Sequence, residues 1–247
     1  MSEVAIDKIS NVKIFASDYD DKDWEKLRAA ADSGQIVMAC CGAKAVLKTS
    51  PNFLRFFAHF AGECATAPET KWHLEVKSLV INDLSRRNIL CKEEKTGKSP
   101  NGKRWKADTY LEFNGRKIVI EVQHSYQHYN RYKERQKIYA DSGIECYWLL
   151  YPKCFKTLTS SIAKDRIKNE FNGKIPRGLF GNSPDLPIMW FDLEKGLKVR
   201  SVAFIEYSLS SWIESIMAKK FKYQECKWII EGLPLPTIRK VNGLSCN

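Results

Sequence analysis

The stretch that decides the fold is Trp105–Gln123, WKADTYLEFNGRKIVIEVQ. Trp105, Ala107, Thr109, Leu111 and Phe113 alternate with Lys106, Asp108, Tyr110 and Glu112, the period of a half-buried strand. Asn114-Gly115 is the pair that tolerates positive φ at both turn positions, and the β-branched run Ile118, Val119, Ile120, Val122 follows it. A two-residue loop sets Phe113 against Arg116, and counting back along both strands brings Asp108 opposite Glu121. Directly opposed residues hold their Cβ atoms roughly 4.5–5.5 Å apart, where like charges are unfavourable. A shared divalent cation would turn that repulsion into a ligand set, because hard cations bind carboxylate oxygens. Gln123 lies two residues past Glu121 and projects from the same face. With a longer loop the register slips, and the two acids become ordinary edge charges.

The rest of the chain sets the context for that cluster. Its 247 residues are 44% hydrophobic, enough for a sizeable core in one large domain or a domain with extensions. Forty Lys and Arg against 29 Asp and Glu leave a formal charge of +11, which favours a polyanionic partner, nucleic acid being the commonest. No apolar run approaches the roughly 20 residues a membrane helix needs, and MSEVAIDKIS lacks the apolar core of a signal peptide, so a cytoplasmic protein is expected. The eight cysteines follow no framework spacing, as expected of thiols in a reducing compartment.

Residues 1–65 read as a small β-rich module, with strand candidates at Val12–Phe15, Ile36–Ala39 and Ala43–Leu47 and a helix through Ala31. Cys40, Cys41, His59 and Cys64 raise the question of zinc. Adjacent cysteines do not readily reach one ion, however, so structural zinc is disfavoured and His59 is read as a hydrogen-bonded core residue. Residues 66–152 read as the core of the protein. Thr66 and Glu69 have the capping-box spacing of a helix start, with Trp72, Val76, Leu79, Val80 and Leu84 as the buried stripe and Glu69, His73 and Lys77 as a polar one. Glu69 is a cap, an acid delivered to a metal, or both. Lys95–Lys103 reads as a loop, and a helix is expected from about Gln127 to Ser142. On that helix Arg131, Arg135 and Tyr139 share a face, either to hold DNA phosphates or as arginines packed on aromatic rings. Ile144–Tyr151 is apolar throughout, a strand buried on both faces and parallel to Lys117–Gln123.

Residues 153–247 read as an α+β extension. Thr157–Asn172 is partly helical, Ile188–Asp192 and Leu197–Ile205 are short strands, and Leu209–Lys219 is a helix capped by Ser208 or Ser210. The run Lys219–Tyr223 is a nucleic-acid contact or a set of snorkelling lysines.

Several of these segments together resemble the competence protein CoiA-like family: Cys40-Cys41-Gly42-Ala43, Phe57-Ala58-His59, Cys64 to Glu69 with His73, Ala107-Asp108, Glu121-Val122-Gln123 with Ser125, and Arg135 with Tyr139. The resemblance covers roughly residues 36–152, with E-x-Q-x-S followed by R-x-x-x-Y as its most specific part. That family is similar to the PD-(D/E)XK, restriction-endonuclease-like nucleases. It implies an α/β fold with a mixed central sheet flanked by helices, and roles in DNA processing and recombination during uptake of transforming DNA.

Carried over residue by residue, the resemblance makes Asp108, Glu121 and the Val122 carbonyl the ligands of Mg²⁺ or Mn²⁺, Gln123 the occupant of the usual lysine place, and Glu69 the helix acid. Arg135, Arg131, Tyr139, Ser125 and Lys106 are the candidate DNA contacts, and recombination or competence proteins are further candidate partners. Two positions depart from the family pattern: Gln123 is neutral where lysine is usual, and Met38 stands where a first cysteine of a CxxC pair would fall. The expected activity is metal-dependent hydrolysis of DNA phosphodiesters. The alternative is a DNA-binding factor of the same fold without turnover.

Overall fold

Asn114 and Gly115 adopt φ of +49° and +73°, the left-handed pair of a two-residue hairpin turn. On either side, β7 (Arg104–Phe113) and β8 (Arg116–Gln123) pair antiparallel with Phe113 against Arg116, as the turn requires. The computed structural model describes residues 2–50, 53–60, 70–176 and 181–234. It divides into two compact units, Met1–Glu75 and Val76–Asn247.

In the first unit, β1 (Val4–Asp7) lies between β2 (Val12–Phe15) and β3 (Ile36–Met38), while β4 (Ala45–Thr49) and β5 (Arg55–His59) form a separate hairpin. Helix α1 (Asp21–Asp32) starts at Asp20, whose carboxylate accepts a hydrogen bond from the Asp23 amide. Its Trp24 is buried against Phe57 in a small core shared with Ala5, Ile36, Met38 and Leu47.

Helix α2 (Lys71–Arg86) buries Val76, Val80 and Leu84 completely. Thr66 and Glu69, expected to open it, lie outside the described residues. The Thr70 hydroxyl accepts from the His73 amide, the N-cap bond one turn before the first helical core residues.

Seven strands make the central sheet, in the order β12-β11-β10-β9-β8-β7-β6. Strand β6 (Cys91–Lys98) runs well into the segment read as a loop, leaving only residues 99–103 to turn. Gly97 misled that reading: it lies in the strand directly under the Trp105 indole, where a Cβ would sit 2.1 Å from Cζ2. Here glycine makes room for an aromatic ring rather than marking a turn.

Helix α3 (Tyr129–Asp141) then carries the chain to β9 (Ile144–Leu150), which pairs parallel to β8 from Lys117↔Ile144 to Gln123↔Leu150. A right-handed helical crossover is the ordinary way to join such strands. Helix α4 (Pro152–Asn169), longer than the mixed composition suggested, leads to β10 (Ile188–Phe191), again parallel to β9. Of the expected strand Leu197–Ile205 only β11 (Lys198–Arg200) forms; a turn in which Ala203 and Phe204 hold φ near +60° follows it and leads to β12 (Glu206–Ser208). The segment after residue 153 thus adds three strands to the sheet that the hairpin begins.

One face of this sheet packs Val119, Cys146, Trp148 and Leu150 against Tyr132 and Tyr139 of α3 and Phe155, Leu158 and Ile162 of α4. On the other, Tyr147 meets Phe221 of β13 (Phe221–Gln224), which stacks on Trp228 of β14 (Lys227–Ile230). Phe221 therefore belongs to the core and is not available to nucleic acid. Helix α5 (Leu209–Met217) is capped by the Ser208 hydroxyl and shares this face through Trp212. Among the described residues no helix is long and apolar enough to cross a membrane.

Candidate active site

The β7–β8 ladder ends at Thr109↔Ile120, one pair short of the two acids. On its other edge β7 also skips a pair with β6, between Glu93↔Thr109 and Lys95↔Ala107, and Glu94 at the skipped position adopts φ +52°. One residue is skipped on each strand, so the pairing resumes in the same register beyond this break. Trp105 and Ala107 below the break and Tyr110 above it all pack in the α3-side cluster, although their numbers differ in parity. The strict alternation read from the sequence thus fails at Asp108, where the strands separate.

Asp108 fills the gap. Its Oδ2 accepts a hydrogen bond from the Val122 backbone amide at 2.8 Å, in place of a ladder carbonyl. A residue's N–H and C=O leave an antiparallel strand toward the same neighbour, so the Val122 carbonyl is also directed to the Asp108 side. The two acids meet through their side chains and not as a ladder pair.

Glu121 is 1% exposed and faces α3 from the centre of the sheet. Burial raises its pKa first, the neighbouring Asp108 charge second, and together they outweigh the lowering influence of Arg135 and Tyr139, pushing it to about 8. Asp108 also shares a hydrogen bond with the Glu121 carboxyl. The Arg135 Nη2 lies 2.8 Å from Glu121 Oε1, with the guanidinium over the Trp148 ring. The Tyr139 hydroxyl donates to the same carboxylate and approaches the Lys106 carbonyl at 3.0 Å.

Placement of the other expected residues is mixed. Gln123 holds its amide between neighbours, donating to the Ser125 carbonyl at 2.8 Å and accepting from Gln127 at 2.8 Å. Arg135 and Tyr139, expected as DNA contacts, turn inward to Glu121; Tyr139 is fully buried, because the helix face they share is the one that covers the sheet. Arg131 sits one turn earlier on the exposed side, paired with Glu134 at 2.8 Å. Ser125 lies exposed in the loop before α3, and half-exposed Lys106 pairs with Glu94. Glu69 lies outside the described residues.

Two residues not singled out for the site from the sequence stand next to it. Lys77 of α2 is 5% exposed, with its ammonium 2.9 Å from Glu94 Oε1 at the skipped pair. Gln136 of α3 accepts from the Trp148 indole at 2.7 Å, fixing the ring under Arg135. Lys77 did stand in the polar stripe of its helix, but nothing local showed that it reaches Glu94.

All of these atoms lie in one segment. Residues 69–177 match the family described as competence protein CoiA, nuclease-like domain. That segment is similar to the CoiA nuclease-like domain. No curated protein matches the chain. Within the CoiA-like domain fall Asp108, Glu121, Val122 and Gln123, and Arg135 and Tyr139 on the helix that follows.

The donor set suits a hard divalent cation. Two carboxylates in mutual contact, one of them buried, and a main-chain carbonyl aimed to the same side are oxygen ligands of the kind Mg²⁺ and Mn²⁺ take. A cation there would also relieve the repulsion that raises the Glu121 pKa.

Proposed function

We propose that the CoiA-like domain hydrolyses DNA phosphodiesters with Mg²⁺ or Mn²⁺ held by Asp108, Glu121 and the Val122 carbonyl. The observation that carries this reading is the contact between the Asp108 and Glu121 carboxyls where the hairpin strands separate, with the Val122 amide anchoring Asp108. When bound, the ion supplies Lewis-acid polarisation of the phosphate and a lower pKa for a coordinated water. Gln123 then orients the nucleophile: its Oε1, already accepting from Gln127, keeps a second lone pair for a water proton. Tyr139 and Arg135 fix the Glu121 carboxylate in one rotamer, and Arg135 brings to the site a positive charge that Gln123 lacks. The charge of +11 supplies long-range attraction for the DNA backbone. DNA processing in recombination or competence is the setting this reading implies.

A second reading has its own observation. Glu121 is already satisfied by Arg135 and Tyr139, and Gln123 by Ser125 and Gln127, an arrangement that also suits a DNA-binding factor without turnover. Incubation with single-stranded, duplex and branched DNA, and with RNA, under Mg²⁺ or Mn²⁺ separates the two. Metal-dependent cutting of DNA that vanishes in Asp108→Ala and Glu121→Ala supports the nuclease. Binding without metal-dependent cuts supports the second reading, and cutting of RNA alone changes the substrate.

A further inference from the structure

Far along the chain from the acids, the first unit gathers a second group of ligand atoms. Cys40 Sγ lies 3.4 Å and Cys41 Sγ 3.2 Å from His59 Nε2, and the two sulfurs are 3.8 Å apart. Disulfide sulfurs would be about 2.05 Å apart, so these are separate thiols. With zinc–sulfur bonds of about 2.3 Å and a zinc–nitrogen bond of about 2.05 Å, a tetrahedral ion separates its sulfurs by about 3.8 Å and sulfur from nitrogen by about 3.5 Å. The three atoms already stand at nearly that spacing.

The backbone explains how adjacent cysteines manage it. Residues 39–43 form a tight turn between β3 and β4, in which Gly42 at φ +72° donates to the Met38 carbonyl at 2.8 Å and Met38 donates to Ala43 at 2.7 Å. The turn directs both thiols toward His59, the last residue of β5, held by its register with Ala45. His59 is partly exposed and its Nε2 faces both sulfurs, so this turn brings neighbouring cysteines to one point, against the expectation that adjacent cysteines do not readily do so. Cys64, the other cysteine considered for this site, lies outside the described residues.

We propose that Cys40, Cys41 and His59 bind one Zn²⁺, which pins the β3–β4 turn to the end of β5. Two thiolates and an imidazole select a soft or borderline cation over the hard ion proposed for the acids. The three ligands precede the matched segment, and the matching family description does not extend to them. A unit of 75 residues with a small core is the size at which a metal clip adds substantially to stability. Binding releases the two thiol protons to solvent, with no change of oxidation state.

The test is metal analysis of the full chain purified without chelator, beside Cys41→Ser, His59→Ala and, as a control outside the site, Cys226→Ser. The expected result is one zinc per chain in the wild type and in Cys226→Ser, and loss of that zinc in the other two. Titration of the wild-type apo-protein with Co²⁺ adds a readout that needs no variant: a thiolate-to-cobalt charge-transfer band saturating at one equivalent, with two thiols protected from alkylation. Metal-free wild-type protein that gives no such band, or equal zinc in wild type and Cys41→Ser, overturns the proposal.

Discussion

Glu121, at the inward end of β8, and Arg135, midway along the helix that follows, meet at 2.8 Å with the guanidinium resting on Trp148. One partner is almost wholly buried, while the other keeps about a quarter of its side chain exposed, 1% against 26%. Removing the exposed partner leaves the buried Glu121 carboxyl without its guanidinium contact. Arg135→Met should therefore lower stability by about 1–2 kcal/mol at neutral pH, less than a stranded charge would cost, because a carboxyl pushed up to about 8 already holds its proton there. Denaturant titration checks this, and a loss under about 0.5 kcal/mol would show that the pair carries no weight.

Metal should be visible in the same measurement. If the two acids hold Mg²⁺, then at a hundredfold excess over Kd the ion adds about 2.7 kcal/mol to the stability of the wild type. Asp108→Asn should abolish that increment, since it removes a ligand beside Val122 while leaving an amide oxygen to accept the Val122 hydrogen bond. An undiminished Mg²⁺ effect in Asp108→Asn would place the cation elsewhere.

Gly97→Ala tests the aromatic support of the site. The added methyl meets the Trp105 indole, which stacks near Tyr110 and packs on Tyr139, the residue bonded to Glu121. No positive φ is involved, so the cost is steric: about 1–3 kcal/mol, together with a shifted tryptophan emission. Unchanged emission and stability would mean the indole moves aside freely.

Acid should loosen the attachment of α5. Arg116 donates to Glu145 at 2.7 Å and to the Met217 carbonyl at 2.9 Å at the end of that helix. Arg116 is the main reason the Glu145 pKa lies below the ordinary carboxylate value, with burial opposing it and Tyr147 assisting. A carboxylate with a depressed folded pKa stabilises the protein above its unfolded value, and that stability is lost as pH falls through the folded one. Glu145 is 40% exposed, so solvent screening holds the effect to about 1 kcal/mol or less. Wild type should exceed Glu145→Gln in Tm near neutrality, and the gap should close as pH falls below the ordinary carboxylate range. A gap that persists in acid would assign the effect to packing.

The hairpin, the helix after it and the parallel strand that returns are legible along the chain because each is set by neighbours. Asn114-Gly115 can turn only one way, the β-branched run after it extends, and Ile144–Leu150 is too apolar to lie at an edge. Composition misled at Gly97, which lies in a strand beneath Trp105, and at Ala203 and Phe204, whose positive φ ends what reads as a continuous strand.

Sequence alone determined that Asp108 and Glu121 belong to one hairpin, since a two-residue loop leaves no freedom in its register. Only the tertiary structure decided how they meet. The ladder with β8 stops at Thr109, the pairing with β6 skips Glu94, and the Asp108 carboxylate meets the Val122 amide and Glu121. The direction of Arg135 was likewise settled by tertiary packing: helical spacing puts it on a face with Tyr139, but the burial of that face against the sheet aims it at Glu121. Local geometry fixes which residues share a face; which face is buried depends on packing among elements far apart in the chain, and no short stretch of sequence carries that information.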